Sequence, residues 1–160
     1  SSGRPSEKGL YLDGLGAYDF LANQKHIPPD RIIPFGRSLG ASVAIEISMR
    51  REVKSLILES AFTSTKGMAK TLFPFMLLSP LLPAHYNNLE KITQVNVPKL
   101  FVHGEDDEIV SFSMGQKLYQ AAQSPKYFFP IKGAGHNDTY LVGGNIYFET
   151  LATFVRDSSI

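Results

Sequence analysis

The chain has 160 residues, of which 43% are hydrophobic and 19% charged, a composition typical of one globular domain. The formal net charge is only +1 and the basic residues are scattered, so the sequence shows no basic surface for nucleic acid. Cysteine is absent, which excludes disulfides, thiolate catalysis and cysteine-based zinc sites. The longest apolar stretch, residues 72–82, contains prolines and is shorter than the ~20 residues that a membrane span requires.

The first part of the chain predicts helices and strands in alternation. Apolar residues at helical spacing predict an amphipathic helix over residues 9–24, which a Pro-Pro pair would end. Residues 32–35 are a short apolar run that predicts a buried strand, and a helix over residues 39–49 follows directly. Residues 53–58 predict a second buried strand.

The second part begins with residues 61–95, which are rich in Phe, Leu and Pro and predict a helical, lid-like excursion above the sheet. A third strand is predicted over residues 97–103, a helix over 113–122, a fourth strand over 127–131 and a last helix over 147–156. Because strands alternate with helices, the fold class is predicted to be α/β with about four parallel strands.

The first motif is G-R-S-L-G at residues 36–40, which matches the G-x-S-x-G nucleophile elbow. In such an elbow a sharp strand-to-helix turn exposes the serine hydroxyl, and the glycines allow strand and helix to approach closely. The apolar run before the motif and the helical pattern after it are the expected context. Ser38 is therefore the candidate nucleophile, and the Leu39 N–H at the helix start is a candidate oxyanion donor.

An acidic loop follows the third predicted strand, where doubly wound sheets place their functional residues. A triad needs a carboxylate that accepts the histidine Nδ1–H and stabilises the imidazolium. Glu105, Asp106 and Asp107 all compete for this role. Asp107 is preferred because it precedes an apolar pair that would anchor the loop, and a merely acidic surface loop is the alternative.

The candidate general base is His136, which lies in a glycine-rich loop after the fourth predicted strand. The order Ser38, Asp107, His136 is the order of the triad in α/β-hydrolases.

The other histidines and one arginine receive lesser roles. His26 and His85 are interpreted as surface residues, and His103 as a structural residue of the acidic loop. Arg37, beside the nucleophile, has two interpretations of equal weight: contact with a substrate anion, or an ion pair, for example with Glu59.

At these segments the chain resembles the α/β-hydrolase subgroup called Bem46-like, or membrane-associated, serine hydrolases. Residues 1–7 are similar to the end of the family's Y-R-G-Y-G-x-S-x-G-x-P-S-E segment, and residues 35–40 to its F-G-R-S-L-G elbow. Residues 58–64, 103–110 and 135–139 are also similar to family segments. The resemblance implies the C-terminal portion of an α/β-hydrolase fold.

The resemblance also implies that residues 1–160 form a partial domain, in which the N-terminal strands and the first oxyanion loop are absent. The predicted strand 32–35 would then be an unpaired apolar edge, and Pro34 would remove one N–H from it. Within the lid-like excursion 61–95, residues 73–82 would line an acyl pocket or simply pack on the core.

The resemblance implies a serine hydrolase that cleaves an ester, thioester or related acyl bond through an acyl-enzyme, without cofactor or metal. Two alternatives stay open: a serine peptidase of prolyl-oligopeptidase type, which shares the triad order, and a catalytically inactive fragment or binding module. The expected partner is a small-molecule acyl substrate, with no nucleic acid. We expect a cytoplasmic chain without a membrane span, and a possible membrane anchor in full-length relatives. The acyl group, the leaving group and the oligomeric state do not follow from the sequence.

Overall fold

The centre of the structure is a parallel β-sheet. The computed structural model describes residues 5–72 and 85–159, and in these ranges the sheet has the order β1 (Phe35–Arg37), β2 (Leu56–Glu59), β3 (Lys99–Gly104) and β4 (Lys126–Ile131). Each neighbouring pair of strands is parallel. The predicted α/β class with four parallel strands is therefore confirmed.

Helices connect the strands. The α-helices of the described ranges are α1 (Glu7–Asp19), α2 (Leu39–Arg50), α3 (Thr65–Leu72), α4 (Asn88–Lys91), α5 (Phe112–Ala121) and α6 (Thr139–Asp157). A π-helical turn over Phe20–Gln24 extends α1, and 3-10 turns cover Pro29–Arg31 and Ile92–Gln94. No helix in this part of the chain is long and apolar enough to cross a membrane.

The core lies on both faces of the sheet because side chains alternate along each strand. Leu58 of β2 and Phe101 of β3 pack on one face with residues of α2 and α5. Ile57 and Leu100 pack on the other face with residues of α6. The fully buried pattern of β2 and β3 explains why both strands read as continuous apolar runs.

The bounds predicted for the first strand, residues 32–35, are wrong. Regular pairing starts only at Phe35, since Pro34 has no N–H to donate, although its carbonyl still accepts the Ile57 N–H at 3.0 Å. In the described residues β1 pairs with β2 alone, and the Phe35 side chain is 52% exposed. β1 is thus an edge of the described sheet.

The last helix begins eight residues earlier than the predicted start at residue 147. Helical structure starts at Thr139, but Gly144 has φ 51° and ψ −138°, so the helix is broken there. Glycine adopts such angles without the steric strain of a Cβ. The glycine pair before residue 147 therefore marks a break inside the helix instead of a loop before it.

Within the excursion predicted over residues 61–95, the described residues include α3, α4 and the 3-10 turn Ile92–Gln94. Residues 73–82, for which a pocket-lining role was expected, lie outside the described residues.

Candidate active site

Ser38 lies at a sharp turn between β1 and α2. Its φ of 52° and ψ of −116° are unfavourable for a residue with a Cβ, and such strain is concentrated at functional sites. Its N–H donates to the Glu59 carbonyl at 2.9 Å, so hydrogen bonding to β2 continues up to the serine. The predicted strand–turn–helix context of the elbow is present.

Gly36 has a steric role in this turn. A Cβ placed there would lie 2.3 Å from the Gly40 carbonyl oxygen and 2.6 Å from the Ala41 Cα, far inside van der Waals contact. A Cβ at Gly40 would meet no described atom within 4 Å. The first glycine of the motif is therefore required by the close approach of β1 to α2.

Leu39 is the first residue of α2, so the helix ladder does not use its N–H. The helix dipole also favours negative charge at this end. The predicted oxyanion donor is thus located beside Ser38.

Asp107 is held by several donors in the loop after β3. Its Oδ1 accepts the N–H groups of Ile109, at 3.0 Å, and Val110, at 2.7 Å. Its Oδ2 lies 2.8 Å from His136 Nδ1 and 3.4 Å from His103 Nε2. Burial by itself would raise the pKa of Asp107, but the hydrogen bonds from His103, Val110 and His136 hold that pKa well below its usual range.

The neighbouring acids differ from Asp107 in their surroundings. Glu105 and Asp106 are exposed, whereas the Asp107 side chain is fully buried. Glu108 accepts the backbone N–H of His136 at 3.3 Å, a supporting contact that the sequence did not predict. Of the four acids, Asp107 is the one that contacts the His136 ring in the described residues.

His136 is 5% exposed, in a loop that the Gly135 N–H closes on the Asp138 carboxylate at 2.7 Å. Since a carboxylate only accepts hydrogen bonds, His136 Nδ1 carries the proton in the bond to Asp107. In the neutral ring Nε2 is then an acceptor. This is the tautomer that a general base requires.

The elbow and the His136 loop meet through their neighbours. Arg37, beside Ser38, donates from Nη2 to Oδ1 of Asn137, beside His136. In the described residues the Ser38 hydroxyl makes no hydrogen bond, to His136 or to another group. The structure therefore brings Asp107 and His136 into contact. Ser38 lies at the carboxyl end of β1, at the end of the sheet where the loops after β3 and β4 also lie, and makes no direct bond to His136.

The remaining sequence expectations have mixed outcomes. His26 is exposed, and exposed His85 contacts the Glu7 carboxylate at 3.1 Å. His103 is buried, and its Nε2 donates to the Val110 carbonyl at 2.8 Å, which fixes the acidic loop. The suggested ion pair of Arg37 with Glu59 does not form, since Arg37 binds Asn137 instead.

Two cavities share lining residues, and the smaller of the two is lined by a residue of the elbow. One of about 210 Å³ is lined by Leu39 together with Leu10 and Tyr86. A larger one of about 1060 Å³, lined by residues of α1, α2 and the chain around Tyr86, shares Tyr86 with the first. The smaller cavity adjoins the nucleophile turn, so it is the more relevant to chemistry at Ser38. No cluster of His, Asp and Glu suited to a metal ion occurs in the described part.

Comparison with known proteins finds hydrolases among the proteins that this chain resembles. The family model described as serine hydrolase (FSH1) matches residues 24–136, which include Ser38, Asp107 and His136. An uncharacterized protein of Mycobacterium tuberculosis is 36% identical over 158 residues, which are 99% of this chain and 56% of that protein. Human alpha/beta hydrolase domain-containing protein 17B is 37% identical over 160 residues, which are 100% of this chain and 54% of that protein. The chain thus spans about half the length of these curated relatives.

A solved structure shows the same fold. The acetyl xylan esterase from Paenibacillus sp. R4 superposes with a TM-score of 0.77 at 16% sequence identity, over 93% of this chain and 52% of the esterase. At this identity the similarity establishes the α/β-hydrolase fold and not the substrate. No comparison distinguishes the Bem46-like subgroup from other members of the superfamily, so the subgroup stays a prediction.

Proposed function

Because this chain belongs to the serine hydrolase (FSH1) family within the α/β-hydrolase superfamily, we propose that it hydrolyses an ester, thioester or related acyl bond through an acyl-enzyme on Ser38. The observation that carries this proposal is the buried contact of His136 Nδ1 with Asp107, at 2.8 Å, in a loop bound to the elbow through Arg37 and Asn137.

In the proposed first step, His136 Nε2 takes the proton of the Ser38 hydroxyl as the serine oxygen attacks the substrate carbonyl carbon. Asp107 stabilises the imidazolium that forms and keeps the ring in the required tautomer. The Leu39 N–H donates to the oxyanion. The leaving group then takes the proton from His136, and the acyl group stays on Ser38.

In the second step, His136 removes a proton from a water molecule, which attacks the acyl-enzyme and releases the acid. The Ser38 hydroxyl is restored. The cavity beside Leu39 would accept the part of the substrate next to the reacting carbonyl. The proposed substrate is therefore a small acyl compound.

Covalent labelling tests this proposal. A fluorophosphonate probe should label the parent chain and leave Ser38→Ala unlabelled, because the probe reacts with an activated serine. Circular dichroism checks that both chains are folded. A folded parent that stays unlabelled would contradict the proposal and favour the inactive-fragment alternative. The peptidase alternative predicts cleavage of peptide substrates, which a hydrolase specific for esters and thioesters would leave intact.

A further inference from the structure

Glu59 is a buried carboxylate without a role in the proposed reaction. It ends β2, is 2% exposed, and its backbone carbonyl accepts the Ser38 N–H at 2.9 Å. No Lys, Arg or His in the described ranges lies within ion-pair distance of its side chain. Burying an ionised group costs free energy unless hydrogen bonds satisfy it, so the burial of Glu59 requires an explanation.

The two carboxylate oxygens of Glu59 bind two points of α6. The Thr139 hydroxyl donates to Oε1, and the Tyr147 hydroxyl donates to Oε2 at 2.7 Å. Thr139 is the first residue of α6 and is fully buried. Burial, together with the bond to Glu59, raises the pKa of Tyr147 well above its usual range, so its phenol remains a hydrogen-bond donor.

The break at Gly144 lies between these two points. At φ 51° and ψ −138° the regular helical backbone is interrupted, so the later part of α6 does not fix the direction of its first turn. Glu59 connects Thr139, before the break, to the sheet, and also holds Tyr147 after it. The first turn is therefore positioned by β2 as well as by its own helix.

His136 lies three residues before Thr139, and Ser38 follows the strand that pairs with β2. We propose that Glu59 is a positioning residue: through Thr139 it holds the start of α6, and hence the His136 loop, at the place from which His136 reaches Ser38. This inference rests on the proposed function in its kinetic consequence, but its geometric part can be tested without turnover.

The kinetic test uses Thr139→Val, which removes the hydroxyl at nearly constant volume, and Thr139→Ser, which keeps it. Tyr147→Phe is the matched control, because it removes a hydrogen bond from the same carboxylate on the far side of the break. We expect Thr139→Val to lower kcat about tenfold with little change in KM, while the Ser and Phe variants stay within about threefold of the parent.

Rates are compared per folded protein, as measured by circular dichroism, on a p-nitrophenyl ester that the parent hydrolyses. Equal kcat losses in Thr139→Val and Tyr147→Phe would overturn the proposal, since stability alone would then explain both. Failure of Thr139→Ser to restore kcat would do the same. If Thr139→Val does not fold, Glu59→Gln takes its place in the test and should also lower kcat.

Proton NMR tests the geometry independently of activity. The His136 Nδ1–H, bonded to Asp107, should give a far-downfield resonance that is absent in His136→Ala. We expect this resonance to broaden or disappear in Thr139→Val and to persist in Thr139→Ser and Tyr147→Phe. An unchanged resonance in Thr139→Val would contradict the positioning role of Glu59. An unlabelled parent in the fluorophosphonate assay would instead contradict the proposed function.

Discussion

Asp107 differs from the neighbouring acids in the hydrogen bonds that its two carboxylate oxygens accept. The sequence favoured it because an apolar pair follows. In the structure, the backbone N–H groups of that pair bind the Asp107 carboxylate, while Val110 is buried and Ile109 is 40% exposed. The local signal thus pointed to the right residue for this contact, although only one of the two side chains anchors the loop. The catalytic role of Asp107 stays a prediction.

Replacing Asp107 by asparagine tests that role. The amide removes the negative charge that stabilises the imidazolium and favours the wrong His136 tautomer, so the rate of fluorophosphonate labelling should fall about 10⁴-fold. Asp106→Asn is the matched control, because Asp106 is exposed and adjacent in sequence. Its labelling rate should equal that of the parent. Equal losses in both variants would show that the triad acid is assigned wrongly.

Gly36 and Gly40 allow a second comparison of single residues. Alanine at Gly36 would place its Cβ 2.3 Å from a backbone oxygen, which can move only if β1 and α2 separate. We expect Gly36→Ala to lower the free energy of unfolding by about 3 kcal/mol. Gly40→Ala adds a Cβ in open space within a helix and should raise it by about 0.5 kcal/mol. Urea unfolding followed by circular dichroism measures both, and similar values would refute the steric account.

Among the secondary-structure elements, the start of β3 contains an unusual lysine. Lys99 is fully buried, and its Nζ donates to the Gln123 carbonyl at 2.7 Å. Burial, with the nearby charge of Lys126, lowers the pKa of Lys99 from 10.5 to about 8. The folded chain therefore releases this proton at a lower pH than the unfolded chain does.

The free energy of unfolding should consequently rise as pH increases from 8 to about 9.5, because the unfolded state binds more protons there. Above that range the tyrosines of the unfolded chain ionise and obscure the effect. Urea unfolding at several pH values measures the slope. Lys99→Met should remove this contribution, while Lys117→Met, at an exposed helical position, should retain it. A slope that survives in Lys99→Met would assign it to another group.

Helices and strands were predictable from the sequence where neighbouring residues specify them. The runs over β2 and β3 are apolar because both faces of these strands are buried, and their positions were found within a few residues. The start of α6 was missed because Gly143 and Gly144 resemble a loop. The contacts of Thr139 and Tyr147 with Glu59, 80 and 88 residues away, supply what the local sequence does not show.

In the whole arrangement of the described residues, β1 is an edge strand that pairs with β2 alone. Unpaired edges with exposed apolar side chains promote association, and Phe35 is 52% exposed there. Because burying a phenylalanine is worth about 2 kcal/mol, Phe35→Lys should weaken self-association of this chain tenfold or more. Sedimentation velocity over a concentration series measures the effect.

Phe20→Lys is the control for this experiment, since Phe20 is 51% exposed but lies in the π-helical turn after α1 and not in a strand. It should associate as the parent does. If both variants weaken association equally, general surface hydrophobicity and not the β1 edge is responsible.

Sequence alone predicted the α/β class, the nucleophile elbow and the order of Ser38, Asp107 and His136, because strand periodicity and the glycine-serine turn are encoded in short segments. Three further features follow from the tertiary structure: the Asp107–His136 bond, the Arg37–Asn137 contact in place of an Arg37–Glu59 pair, and the double contact of Glu59 with α6. These interactions join residues 29 to 100 positions apart. They depend on the order and register of the strands, which bring distant segments together at the carboxyl ends of the strands. No local sequence pattern specifies that register.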